Sequence, residues 1–210
     1  MSKNYKYGFD VAVNRADDLD KCMLEHIARE ESPSVIDIGC GLGGQSLRMA
    51  LSGAKVFAVD IDDYEKQFIE LRDNNNLSEE QLMFLRGNLR DVESVIGERT
   101  FEIGCLQRVI HYLPYNDALL VLKSIRNSVK VIYISVSGLD SAIGEGYVDK
   151  DKSVTERFCH LSAESREKFF ITKPICLYTE KEFRELVEVA GWKIEKVWVS
   201  AFGNIKAILI

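Results

Sequence analysis

The run Val35-Ile36-Asp37-Ile38-Gly39-Cys40-Gly41-Leu42-Gly43-Gly44 constrains the fold more than any other segment of the chain. Four residues of buried-strand character lead straight into glycines, and Gln45 to Leu51 then read as a helix. Glycine is needed where a chain turns sharply beneath a ligand, because a side chain there blocks the approach. Strand, glycine turn and helix in this order predict an open α/β sheet with a ligand at the carboxyl end of its first strand. Gly39, Gly41 and Gly44 also satisfy the G-x-G-x-x-G pattern of dinucleotide binding, so glycine spacing alone leaves two cofactor classes open.

Charge separates the two. The Asp37 carboxylate, two residues before the first glycine, repels a pyrophosphate and suits a ligand bearing an ammonium and a sulfonium. Asp60 closes the next strand candidate, Lys55 to Val59, 23 residues after Asp37. A carboxylate there is placed to accept both hydroxyls of an adenosine ribose, with Ile61 beside it to line the adenine.

The rest of the chain continues the alternation of strand and helix. Ala16 to Arg29 sets Leu19, Met23, Ile27 and Ala28 at helical spacing, with Asp17 and Asp18 available as caps, and Ser32-Pro33-Ser34 ends that helix. Tyr64 to Arg72, Asp117 to Arg126 and Glu180 to Ala190 are further helix candidates. Leu82 to Leu85, Ile103 to Gln107, Lys130 to Val136, Lys193 to Ser200 and Asn204 to Ile210 are further strands. The last two are joined by Ala201-Phe202-Gly203, which suits a hairpin. At 210 residues the chain fits one domain over 1–210, with an N-terminal flap and helix over 1–31. The alternation fails over 138–178, a polar insert too long for a plain connector and expected to form a lid over an acceptor.

Lys+Arg 27 against Asp+Glu 33 gives a net charge of −6, a field that disfavours nucleic acid and anionic membranes as partners. The 5 cysteines, Cys22, Cys40, Cys105, Cys159 and Cys176, form no C-x-x-C pair and read as reduced thiols, and no metal site is expected. No apolar run reaches the roughly 18 residues of a membrane span, and the first residues lack a secretory pattern, so a cytoplasmic location is expected.

Four segments in order resemble the motifs of the class I S-adenosylmethionine-dependent methyltransferases, from Val35 to the C-terminus. They are Asp37 to Gly43, Val56 to Asp60, Leu85-Arg86-Gly87-Asn88-Leu89, and Phe101 to Gln107. The resemblance implies a Rossmann-like, doubly wound, seven-stranded, mostly parallel sheet of order 3-2-1-4-5-7-6, with an antiparallel last strand and helices on both faces. It implies that Asp37 and the backbone of Gly39, Cys40 and Gly41, in a turn that ends at Gly43, hold the methionine part of the cofactor. Asp60 then holds the ribose, and Gln107 offers its backbone to the ammonium. Asn88 stands where the family usually has an aspartate facing the adenine amino group; its amide oxygen still accepts, and the backbone N–H of Leu89 faces the ring.

Methyl transfer from a sulfonium is an in-line displacement that depends on alignment and a dry pocket, and only some acceptors need a base. His111 follows the fourth strand, so it is either a general base or a packing residue under the next helix. Tyr112 beside it, and Tyr147, Arg157 and His160 in the insert, are candidate acceptor contacts, or in the insert simply solvated loop residues. Tyr5, Tyr7 and Phe9 suit a flap over the sulfonium or packing at the sheet edge, and Arg15 is a candidate partner for the cofactor carboxylate. Leu106-Gln107-Arg108-Val109 lacks the Asn/Asp-Pro-Pro-aromatic turn that goes with amide and amino acceptors. The expected activity is therefore transfer of a methyl group to a small-molecule acceptor, on oxygen, with S-adenosylhomocysteine as product. The alternatives are a non-catalytic cofactor sensor or scaffold, a protein or RNA methyltransferase, and a dinucleotide-binding oxidoreductase.

Overall fold

The structure, a computed structural model, describes residues 6–8, 14 and 16–210. Seven strands, β1 (Ser34–Ile38), β2 (Lys55–Asp60), β3 (Leu82–Arg86), β4 (Phe101–Gln107), β5 (Val129–Ser137), β6 (Ile194–Val199) and β7 (Asn204–Leu209), form one sheet of order β3-β2-β1-β4-β5-β7-β6. β1 to β5 run parallel, and β7 lies antiparallel to both β5 and β6. This is the order that the methyltransferase resemblance implies. Strand order reverses beside β1, so the connections after β1 and β4 leave the sheet in opposite directions and open a crevice at their carboxyl ends.

Alternation along the central strands divides the core. Val35, Val56, Ala58, Ile103, Cys105 and Tyr133 face one side, where they meet α1 (Asp18–Ile27), α2 (Gly44–Leu51) and α3 (Glu65–Asn75) through Leu19, Met23, Ile27, Met49 and Phe68. Ile36, Ile38, Phe57, Val59, Leu106, Ile132 and Ile134 face the other, against α4 (Val92–Ile96), α5 (Tyr115–Ile125) and α7 (Glu180–Val189). Each such side chain taken from water contributes roughly 1.5–3 kcal/mol. α4 has no counterpart among the expected helices; it is five residues long, too short for helical periodicity to show.

Local chemistry sets the helix ends. Asp17 caps α1 by accepting from the Asp20 N–H, and the Asp20 carboxylate returns the contact to the Asp17 N–H, so α1 starts at Asp18 and not at Ala16. Pro114 precedes α5, which therefore begins at Tyr115, two residues before the expected start.

The insert is less uniformly polar than its composition suggests. It contains α6 (Ala163–Phe169) and a small core of its own built from Ile143, Tyr147, Leu161, Ile171, Ile175 and Leu177. Its ends meet in a bridge between Gly138 and Tyr178, and its returning chain is tied to the loop after β4 by the Cys176 N–H donating to the His111 carbonyl at 2.7 Å. Among the described residues no helix is long and apolar enough to cross a membrane, and no group of His, Cys, Asp and Glu is placed to hold a metal.

Candidate cofactor crevice and acceptor site

After β1 the chain turns through Gly39, Gly41 and Gly43 with φ of +74°, +54° and +78°. Such left-handed values cost other residues roughly 1–2 kcal/mol each. Gly39 has a second reason to lack a side chain: a Cβ there would lie 2.3 Å from Val109 Cγ2, in the loop after β4. The turn hangs from the end of β2. The N–H groups of Gly39 and Cys40 donate to the Val59 carbonyl at 2.8 and 3.2 Å, and that of Gly41 donates to Asp60 Oδ2 at 2.9 Å. These N–H groups of the backbone expected to hold the ligand have partners within the protein, and the space beside Gly39 and Gly43 is taken by Val109, Leu71 and Phe68.

Asp60 accepts a second hydrogen bond from the Asp62 N–H through Oδ1 at 3.0 Å. Burial raises its carboxyl pKa, and the backbone hydrogen bonds oppose that rise without cancelling it. The Ile61 N–H is a third backbone donor, and the carboxylate, with about four accepting sites, keeps capacity for a further donor. Ile61, next along, is 46% exposed, an apolar surface at the crevice beside a polar anchor. Across the turn, Asp37 is buried, accepts from the Ser46 hydroxyl at 2.5 Å, and pairs in register with Cys105 of β4. Burial and then the Asp37 charge hold the Cys105 thiol well above its ordinary pKa, so it is not a nucleophile.

Asn88 caps a short 3₁₀ turn, Leu89–Asp91, by accepting from the Arg90 N–H at 3.1 Å. Its amide oxygen thus has one lone pair engaged and one remaining, while Leu89 is half-buried and packs toward the α4 and α5 core. At the end of β4 the Gln107 side chain donates through Nε2 to Asp20 Oδ1, a contact that sequence reading missed. The sequence offers Asp17 and Asp18 as caps, and neither Asp20's part in the cap nor its partner 87 residues away is visible there. The next residue, Arg108, has φ +54°, a conformation uncommon for a non-glycine and concentrated at functional sites.

The acceptor candidates divide. His111 lies in the short 3₁₀ turn Ile110–Tyr112, 2% exposed, with Nδ1 buried and without a hydrogen-bond partner among the described residues. Burial, and then the Arg108 charge, lower its pKa to about 3. It is a neutral, weakly basic imidazole at neutral pH, which opposes the expected role as general base. Tyr112 stacks edge-on against Tyr7 with centroids 4.9 Å apart and donates its hydroxyl to the Tyr7 carbonyl at 2.8 Å. Tyr7 pairs with Ile171 of the insert, and Lys6 reaches Asp62 at 3.1 Å, so residues 6–8 run from the insert to the loop after β2. Tyr5, Phe9 and Arg15 lie outside the described residues.

Two insert candidates face inward and are corrected here. Tyr147 is 2% exposed and donates to the Ile175 carbonyl at 2.6 Å. Arg157 is 4% exposed, forks onto Glu182 at 2.8 and 3.0 Å, and donates to the carbonyls of Leu177 and Lys152 at 3.1 and 2.7 Å. Both satisfy backbone that the insert would otherwise bury unpaired, and neither is open to an acceptor. His160 is exposed, with Nδ1 3.1 Å from the Thr172 carbonyl.

Residues 35–131 match the model of a family described as "Methyltransferase domain". The sheet superposes on a S-adenosylmethionine-dependent methyltransferase from Clostridium acetobutylicum with TM-score 0.66 at 10% identity, covering 95% of this chain and 94% of that one. The fold is that of the class I methyltransferases. It is also similar to the Burkholderia thailandensis 1,6-didemethyltoxoflavin-N1-methyltransferase, solved with 1,6-didemethyltoxoflavin and S-adenosylhomocysteine. That comparison gives TM-score 0.69 at 16% identity, over 95% of this chain and 80% of that one. Among curated proteins the domain is 36% identical over 80 residues to the "Probable protein arginine N-methyltransferase 6" of Arabidopsis thaliana, covering 38% of this chain. The chain spans 18% of that relative's length and 12% of that of the fission yeast ribosomal protein arginine N-methyltransferase rmt3.

Proposed function

We propose that this methyltransferase domain binds S-adenosylmethionine in the crevice at the ends of β1, β2 and β4 and methylates a small-molecule acceptor. The observation that carries the reading is the glycine turn suspended from Asp60, with Asp37 buried on its other side. A turn bounded by carboxylates and an exposed Ile61 fits a cationic, adenosine-bearing ligand and disfavours a diphosphate. When bound, the cofactor supplies an electrophilic methyl on a sulfonium, whose transfer to an acceptor lone pair leaves a neutral thioether.

The residues bind and orient. Asp60 would hold the ribose hydroxyls, Ile61 and Asn88 the adenine, and Asp37 with the end of β4 the methionine ammonium. Val109 closes on Gly39 from the β4 side, which fixes the floor of the crevice. Residues 6–8, Tyr112 and the insert form the wall over the acceptor and limit water there, and alignment in such a setting supplies much of the rate. With His111 buried and weakly basic, we assign it no proton transfer. The acceptor then brings its own electron pair, as an ionised hydroxyl or another electron-rich heteroatom does.

Purified protein supplied with S-adenosylmethionine and a pool of small acceptors should accumulate S-adenosylhomocysteine, read by mass spectrometry. A panel that gives no product while calorimetry shows cofactor binding supports the sensor reading. Product only with arginine-containing peptides moves the acceptor to the class named for the curated relatives.

A further inference from the structure

We infer that Asp20 is a positioning residue for the cofactor's ammonium, acting by fixing which end of the Gln107 amide faces the crevice. The inference rests on the cofactor reading above and deepens it. An amide has one donating and one accepting end, and nothing in Gln107 itself selects between them. Asp20 Oδ1 receives the Gln107 Nε2 donor, so Oε1 is the end of the amide that Asp20 leaves unengaged. A carboxylate enforces this choice because, ionised, it only accepts.

Asp20 is itself held in place. Its second oxygen accepts from the Asp17 N–H in the capping box at 2.8 Å, so the carboxylate has little freedom to turn away. Trp198 Nε1 donates to Asp18 at 2.8 Å, and the Lys206 ammonium of β7 contacts both Asp17 and Asp18, which ties the start of α1 to the sheet. The burial of Asp20, at 5% exposed, raises its carboxyl pKa, while the Asp17 and Gln107 hydrogen bonds oppose the rise. Gln107 lies two residues beyond Cys105, on the face that carries Asp37, so the oriented amide and that carboxylate flank the same end of the crevice.

The chemistry makes a selective test possible. In Asp20→Asn the new amide can satisfy both the Asp17 N–H and Gln107 only if Gln107 turns over, which presents its NH₂ to the ammonium. S-adenosylhomocysteine carries the ammonium, and 5′-methylthioadenosine carries the same nucleoside without it. Calorimetry should show Asp20→Asn losing about tenfold in affinity for the first and less than twofold for the second. Gln107→Leu should show the same selective loss, and the double variant should be no weaker than the weaker single one, since the two side chains act as one unit. Should Asp20→Asn fail to fold, Asp20→Gln keeps a standard capping-box partner while removing the charge, and the same selective loss is expected of it. Equal losses for both ligands, losses that add in the double variant, or no loss at all overturn the role of Asp20. Natural protein that binds neither ligand overturns the cofactor reading itself, and this role with it.

Discussion

At the end of β2 the Asp60 carboxylate stands at a crevice and holds the turn that follows β1, whereas in the insert Arg157 and Tyr147 turn inward onto carbonyls of their own chain. Both regions are rich in polar side chains. The difference is what the backbone around them lacks. At the glycine turn the N–H groups already have partners in β2, so side-chain oxygens keep lone pairs for a ligand. Outside α6 the insert is irregular chain joined by isolated bridges, so its buried carbonyls take the nearest donors. A polar residue in a long irregular segment is therefore often structural, and the same residue type beside a strand end with satisfied backbone is free to bind.

The largest expected effect separates these roles directly. Arg157→Leu removes a 5% exposed guanidinium from a Glu182 partner that is 20% exposed and from two carbonyls. The Arg157 hydrogen bonds, acting against burial, hold the Glu182 carboxyl below its ordinary pKa, and without them its charge is left in poor surroundings. Urea unfolding should show a loss of about 4 kcal/mol. Cofactor affinity of the protein that remains folded should change less than twofold. Unaltered stability together with weakened acceptor binding would return Arg157 to the acceptor site.

Asp60→Ala tests the other side of the comparison. It removes the proposed ribose anchor and the acceptor of the Gly41 N–H together. S-adenosylhomocysteine affinity should fall about a hundredfold, as expected for two or more hydrogen bonds to a charged group. Unchanged affinity would mean that the crevice is not where the nucleoside binds.

His111 sits between the two regions, and its protonation shows which it serves. Its pKa is about 3 in the folded protein, against about 6.5 when unfolded. The unfolded chain therefore binds the extra proton, and stability is fully present above about pH 6.5 and falls as pH drops toward 3. The slope approaches about 1.4 kcal/mol per pH unit in that window. His111→Leu should flatten this part of the stability profile while turnover changes less than threefold. A turnover loss of about a hundredfold or more would restore the base.

Much of the sheet was legible because its signals are local. Buried runs such as Val35 to Ile38 end in punctuation, and Asp37 and Asp60 are separated by one strand-helix-strand unit whose length is nearly fixed. What was not legible depends on distant partners. Nothing near Asp20 announces Gln107, nothing near Gly39 announces Val109, and Tyr147 and Arg157 read as solvated until Ile175 and Leu177 return to meet them. His111 was legible in position but not in environment, because the return of Cys176 over its carbonyl is also a long-range event.

The smallest expected effect isolates a single contact within the insert. Tyr147→Phe keeps the ring in the small core with Leu161 and Ile171 and removes only the hydroxyl that donates to the Ile175 carbonyl at 2.6 Å. The carbonyl keeps the Cys159 N–H at 3.2 Å, so the loss should be about 1 kcal/mol, the usual net contribution of one hydrogen bond. Differential scanning calorimetry reads that as a lowered melting temperature. Because the phenol is sealed from the crevice, acceptor KM should be unmoved across every acceptor tried. A KM that rises while the melting temperature holds would mean that the insert opens during turnover and shows Tyr147 to the acceptor, making the inward-facing state only one of two.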